Sequence, residues 1–595
     1  MFSLLVGGGT SGLVVASRLS DDRNTTVLVI ESGPFHKNED WVEIPLITTA
    51  NLAVLGNGPR GSGRAFDFSS SFLYGKRDME MEDGGVMEFR SRKFWKFYDA
   101  NLTSVPQPLL SNRSIGLPAG RVIGGSSVLN GMVFMRGDKL DYDRLGDFFP
   151  SDSAGKTKAK NWSWENLLPF FKKSEHYTPP DADEEEVKKW GAGVGWNGKY
   201  HGDSGGVQYG FPRFVWPSTG SFVRAFQSLN HFLLPDPFAG LSASTFLFTL
   251  SLNHDSQTRC TSQSFISPPF SSSPKPNLHI LPSYTATRIL LSNSSYNSRQ
   301  SPRATGVSFA ASNSSSTSVK EFTVRAKKEV IHAENTAAAA GVGDRSLEAA
   351  GVDVKVELEG VGEGNATWAA EMRKLYDEKK EGPFTTASGN TLAFLPLKNI
   401  TDNQTISSLT SMATAQSGTQ YLDPSTPLSV RKGYALYHSL LTQDLLSTAT
   451  AHIEFIVGDT VQIACVQHPY SRGWIRINHS SVFAPPLINP RYLTNPLDIL
   501  QMEIGFNYTR TLRATSELKS IGMVEDRSSD VASSCGKRGD DGAGTGRSGG
   551  SEVEGLWGAG VESSGCEYDC LVAGCAFAGY GLCGGGEGGE YDFGG

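Results

Sequence analysis

Apolar positions at the start of the chain fall into three blocks whose lengths and order predict strand, helix and strand. Residues 2–6 (Phe-Ser-Leu-Leu-Val) have the length and continuous hydrophobicity of a buried strand. Residues 13–19 (Leu-Val-Val-Ala-Ser-Arg-Leu) continue as a helix with apolar residues on its buried face. Residues 27–30 (Val-Leu-Val-Ile) form a second buried run, and Glu31 stands at its carboxyl end. Between the first run and the helix lies Gly7-Gly8-Gly9-Thr10-Ser11-Gly12, a G-x-G-x-x-G turn.

Each part has a physical task. Gly7 permits the tight turn out of the strand, Gly9 lets a diphosphate approach the backbone, and Gly12 lets the helix pack hard on the sheet. The helix N-terminus, at Thr10 and Ser11, offers unpaired N–H groups and partial positive charge to phosphates. Glu31, followed by Ser32, lies where an acid accepts hydrogen bonds from adenosine ribose hydroxyls, and its charge disfavours a 2′-phosphate. A glycine pattern alone arises easily in a chain with 66 glycines. Strand, helix, second strand and acid in register make it an ADP-binding βαβ unit.

Composition narrows the picture without changing it. The 595 residues, 38% hydrophobic and 10% aromatic, suffice for a sizeable core. A formal charge of −8 gives no footprint for nucleic acid or an anionic membrane. The chain has no apolar run long enough for a transmembrane helix. Seven cysteines, five of them in the last part of the chain, lack regular zinc spacing, so no metal site is expected. Sequons at Asn24, Asn101, Asn112, Asn161, Asn293, Asn313, Asn365, Asn399, Asn403, Asn478 and Asn507 point to an extracellular, secreted glycoprotein. The first strand begins at residue 2, which leaves no room for a signal peptide ahead of it.

A second block, residues 120–137, carries Gly124-Gly125-Ser126-Ser127, then Asn130-Gly131-Met132-Val133 and Arg136-Gly137. Its glycines allow close backbone approach to a ligand, and Asn130 is one polar interruption in an apolar segment. Read alone, its rival reading is a tight loop packed under the sheet.

With the first block, this segment resembles the glucose–methanol–choline (GMC) family of FAD-dependent oxidoreductases. The resemblance implies that Gly124, Gly125, Ser126 and Ser127 lie along the diphosphate and flavin, and that Asn130, Gly131, Met132 and Val133 border the isoalloxazine ring. Residues 162–175 look like the family's next helix. Residues 277–281 and 285–290 resemble a strand pair closing over the adenine, with Ala286 beside it, and residues 304–307 and 327–331 extend that sheet. Residues 468–477 and 488–493 look like the strand opening the closing segment of the substrate domain and its continuation. The implied fold is α/β (α+β overall): a Rossmann-like FAD-binding domain interleaved with a substrate domain built on an antiparallel sheet. The expected division is 1–340 for the FAD-binding region, with substrate-domain insertions around 150–260, then 341–465 and 466–527.

Two departures from the family pattern bear on activity. After residues 329–331 the expected helix is shortened to four alanines, 337–340, and the glycine turn at 360–364 lacks its usual continuation. The family also carries a catalytic histidine downstream of the Ser471-Arg472-Gly473 step. The last of the 11 histidines here is His479. From Ser528 the chain turns Gly-, Ser- and acid-rich, a composition expected to be disordered. A shifted reading frame produces such an abrupt change, as does a natural acidic tail. His438, His452 and His468 read as structural rather than catalytic, and no catalytic residue is assigned.

The resemblance implies FAD as cofactor and oxidation of the CH–OH group of a small alcohol, with hydride transfer to flavin N5 and oxygen or quinone as final acceptor. Without the downstream histidine, activity is expected to be impaired. The rival expectations are a non-catalytic flavin-binding protein and a hydroxynitrile-lyase-like relative. An NAD-dependent dehydrogenase fits the first block, but the Gly-Gly-Ser-Ser block argues against it.

Overall fold

The computed structural model describes residues 2–47, 97–149, 152–180, 190, 198–241, 243–267, 275–292, 303–313, 319–333, 347–351, 366–387, 389–458, 461–478, 481 and 483–522. The alanine run 337–340, the turn 360–364 and the tail from residue 528 lie outside the described residues.

The N-terminal unit forms as its pattern predicts. Strand β1 (Phe2–Val6) leads through the glycine turn into helix α1 (Thr10–Leu19), which returns to strand β2 (Thr26–Ile30) parallel to β1. A four-stranded parallel sheet results, in the order Leu278–Leu281, β2, β1, Val330–His332. Side chains alternate between its two faces. Leu5, Val27 and Val29 pack with Ala16 of α1, while Leu4, Val6 and Ile30 face the other way onto Val307. Val307 belongs to a three-stranded antiparallel sheet of Tyr284–Leu291, Ala304–Ala311 and Phe322–Arg325. The layers are therefore helix, parallel sheet and antiparallel sheet.

This arrangement corrects the expected adenine-side sheet. Leu278–Leu281 and Tyr284–Leu291 are not a pair: the first joins β2 in the parallel sheet, and the second starts the antiparallel one. Likewise Ala304–Ala311 pairs with Tyr284–Leu291, but Val330–His332 returns to β1. Ser283, at φ +61°, turns the chain between the layers.

The second part is built on a five-stranded antiparallel sheet in the order Leu347–Gly351, Val461–Val466, Ile453–Gly458, Gly389–Leu395, Thr245–Leu247. Ala393, Leu395, Ile453, Phe455, Ala464 and Val466 face a helical layer that includes Pro496–Arg513. On the opposite face, Phe246, Leu392 and Phe394 pack against Met132, Val133 and Met135. The second sequence block is thus the joint between the two sheets. Trp164–Ser174 forms the expected helix, and Trp474–Arg476 pairs with Leu487–Asn489 as the expected closing strands.

Candidate functional site

The two glycine blocks meet. Gly7, at φ +98°, turns the chain out of β1, and Gly124 N–H donates to the Gly8 carbonyl at 2.9 Å. Gly125, at φ +57°, lies so close to the first loop that an added Cβ would stand 2.7 Å from Gly9 Cα. At Gly12 an added Cβ would meet the Gly7 carbonyl oxygen at 2.0 Å, so glycine is required for α1 to pack on the turn. Gly9 differs. An added Cβ there would find Gly125 Cα at 3.7 Å and nothing else within 4 Å. The protein's own packing does not demand that glycine, which leaves open space before the helix.

That space faces the start of α1, whose first turn has no acidic residue and no side-chain cap. Its positive end is left for an anion. Thr10 Oγ1 donates to the Gly124 carbonyl at 3.4 Å, and Ser11 is half-buried in the same turn. An open cradle at an uncapped helix start, floored by glycine, suits a diphosphate.

Glu31 is buried at the end of β2. Its Oε2 accepts from Gly8 N–H at 2.7 Å, and its Oε1 accepts from Gly33 N–H at 2.8 Å and Ser32 Oγ at 3.2 Å. Tyr284 N–H donates to the Glu31 carbonyl at 2.9 Å, which carries the antiparallel sheet, and with it Ala286, alongside. Ala286 packs among the side chains around Leu4, Val6 and Ile30.

The second block continues as a short 3₁₀ turn, Gly125–Val128. Ser126 Oγ accepts from Gly120 N–H at 3.0 Å, and Ser127 Oγ donates to the Gly124 carbonyl at 2.6 Å. Asn130 Oδ1 accepts from Met132 N–H at 3.2 Å, past the half-buried Gly131. Met132 has φ +67°, a left-handed backbone that costs a side chain local strain. Val133 begins a strand paired with Leu250.

Sequence reasoning missed the residues beneath this block. Arg259 donates to the Ser127 and Asn130 carbonyls, Gln263 Nε2 to the Ile123 carbonyl at 2.6 Å, and Ser262 Oγ to the Gly124 carbonyl at 3.2 Å. They come from a Thr- and Ser-rich stretch with no apolar period to mark it. Arg136, within the second block, carries no local sign of its role. Its guanidinium is fully buried, pairs with Glu175, donates to the Phe238 carbonyl at 3.1 Å and stacks on the Phe238 ring at 5.2 Å. Beside Arg259, burial pushes the Glu43 carboxyl up to about 7 against the pull of the Arg259 charge. Burial also lowers His36, whose Nδ1 lies 3.7 Å from Glu43 Oε1.

His438, His452 and His468, the histidines read from the sequence as structural, sit within the second part of the molecule. His438 lies 3.3 Å from Gln416 Oε1. Burial holds His452 down at about 3. Burial also opposes a proton on His468, yet the Asp141 carboxylate at 3.3 Å and the Ala451 carbonyl carry it above its ordinary value. Among the described residues no group of His, Cys, Asp and Glu could hold a metal ion, and no helix is long and apolar enough to cross a membrane.

Comparison with known proteins yields a family-model match described as GMC oxidoreductase over residues 1–346. The chain is 27% identical to a GMC oxidoreductase family protein, Mala s 12 of Malassezia sympodialis, over 87% of this chain and 77% of that one. Among solved structures, an FAD-dependent oxidoreductase from Chaetomium thermophilum aligns with a TM-score of 0.70 and 24% identity, over 88% of this chain and 84% of the other. A fungal aryl-alcohol oxidase aligns with a TM-score of 0.67 and 23% identity, over 93% and 86%.

Proposed function

The chain belongs to the GMC oxidoreductase family, and from that premise we propose that it binds FAD and acts on the CH–OH group of a small alcohol. The observation that carries this reading is the contact between the two glycine loops, Gly8 to Gly124 and Gly9 to Gly125, in front of the uncapped start of α1. Gly7, Gly9, Thr10, Ser11 and Gly12, with Gly124, Gly125 and Ser126, would hold the diphosphate. Glu31 and Ser32 would meet the ribose, Ala286 the adenine side, and Asn130, Gly131, Met132 and Val133 the ring. When bound, FAD would supply the acceptor for the hydride that leaves the alcohol carbon, with oxygen or a quinone as final acceptor.

Around that group the chain's own residues orient and exclude water. Phe246, Leu392 and Phe394 pack on the joint segment and keep it dry. A substrate-domain insertion around residues 150–260 is supported by the crossing of Thr245–Leu247 into the second part's sheet. Secretion as a glycoprotein is supported by exposure of Asn24, Asn101, Asn112, Asn161, Asn313, Asn399, Asn403 and Asn507.

No histidine follows His479, so turnover is proposed to be slow. General-base assistance of the kind the family draws from a downstream histidine contributes about 10² to 10⁴ in rate. The test is anaerobic titration of the FAD-loaded protein with aryl and alkyl alcohols, following flavin bleaching. Slow bleaching supports an impaired alcohol oxidoreductase. A yellow protein that no alcohol bleaches makes the chain a non-catalytic flavin binder, and rapid bleaching overturns the impairment.

A further inference from the structure

Arg259 ends the short strand Thr258–Arg259 and is 5% exposed. Its Nε donates to the Val42 carbonyl at 2.8 Å. Nη1 donates to the Ser127 carbonyl at 3.0 Å and to Asn130 Oδ1 at 2.7 Å, and Nη2 donates to the Asn130 carbonyl at 2.7 Å. One guanidinium therefore grips the 127–130 segment by main chain and side chain together.

The chemistry of the donors fixes an orientation. The oxygen and nitrogen of an asparagine amide are normally told apart only by their partners. Here Asn130 presents one atom both to Arg259 Nη1 and to Met132 N–H. A guanidinium and a main-chain N–H donate and cannot accept, so that atom is the oxygen and Nδ2 faces the other way. The same contact steadies the loop through Met132, whose left-handed backbone is held from the far side by Ser251 N–H on the Met132 carbonyl at 2.8 Å.

We infer that Arg259 is a positioning residue: it locks Asn130 so that the loop offers the bound flavin a hydrogen-bond donor, and it holds Met132 in its strained conformation. This inference rests on the FAD reading of the site. A fixed donor favours the electron-rich reduced ring over the oxidised one, so Arg259 acts on the reduction potential without touching the flavin.

The experiment compares wild type, R259K, R259M and N130D as full-length chains, by FAD fluorescence titration of the stripped proteins, flavin midpoint potential and thermal melting. R259M is expected to bind FAD about 10- to 100-fold more weakly, about 1.4–2.8 kcal/mol, with a more negative potential. R259K falls between, because an ammonium lacks the planar fork. In N130D the carboxylate still accepts from Arg259 and Met132, so the protein folds, but the outward donor is gone and the potential falls. If R259M fails to fold, N130D decides alone. R259M with wild-type affinity and potential, or N130D with wild-type potential, overturns the inference. Wild type that takes up no FAD sinks the cofactor reading itself, a result separable from either.

Discussion

Gly8 donates its main-chain N–H to Glu31 Oε2 at 2.7 Å, so the carboxylate at the end of β2 closes the turn that leaves β1. Gly33 N–H reaches the other oxygen at 2.8 Å. The acid expected to read a ribose is therefore also the pin between the two strands.

Glu31→Gln keeps the shape but turns one acceptor into a donor facing an N–H. A buried group left unsatisfied costs about 1–3 kcal/mol. Urea unfolding of E31Q is expected to show that loss, together with weaker FAD uptake. An unchanged midpoint with normal uptake would remove the pin from the account.

Gly125→Ala sets a methyl 2.7 Å from Gly9 Cα at a φ of +57°, where a side chain is already strained. Backbone conflict of this kind costs on the order of 1–3 kcal/mol. It also falls where the two loops meet, so G125A is expected to lose both melting temperature and FAD. Gly116→Ala is the matched control: an added Cβ there meets nothing within 4 Å, and its stability should stay within about 0.5 kcal/mol of wild type.

The Glu43 carboxyl gives a pH signature. Burial holds it at about 7 in the folded chain, against the Arg259 charge and with a smaller push from Glu39, above its ordinary 4.5. The folded state then keeps a proton that the unfolded state releases. Its relative stability is fully present below about 4.5 and is lost as pH rises through about 7. Melting curves of wild type and E43Q should show wild type losing ground to E43Q between pH 5 and 8. Parallel curves across that range would contradict the assignment.

Secretion from a eukaryotic host is expected to attach N-glycans at exposed sequons such as Asn24, Asn161 and Asn403. Digestion with an amide-cleaving glycosidase followed by intact-mass measurement checks this. A mass equal to the bare polypeptide before digestion counts against it.

What was legible in the sequence was local. The βαβ unit declares itself because run, turn and helix are contiguous; Gly7 is required by its φ of +98°, and Gly12 and Gly125 are each forced by a backbone contact. The sheet boundary at Pro282 and Ser283 was not legible. Two strands two residues apart imitate a hairpin, while the parallel pairing of Leu278–Leu281 with β2 spans the chain and leaves no local mark. Arg259 was hidden for a related reason. Its value lies in carbonyls 129 and 217 positions away, which no spacing rule connects to it. The composition of the stretch around it reads as an ordinary polar loop.

The most direct test of the central claim is the visible absorption spectrum of the purified, folded chain after incubation with FAD and removal of excess. The account predicts a yellow protein carrying equimolar FAD, with G125A colourless under the same treatment. A well-folded wild-type preparation that stays colourless and retains no FAD would contradict it.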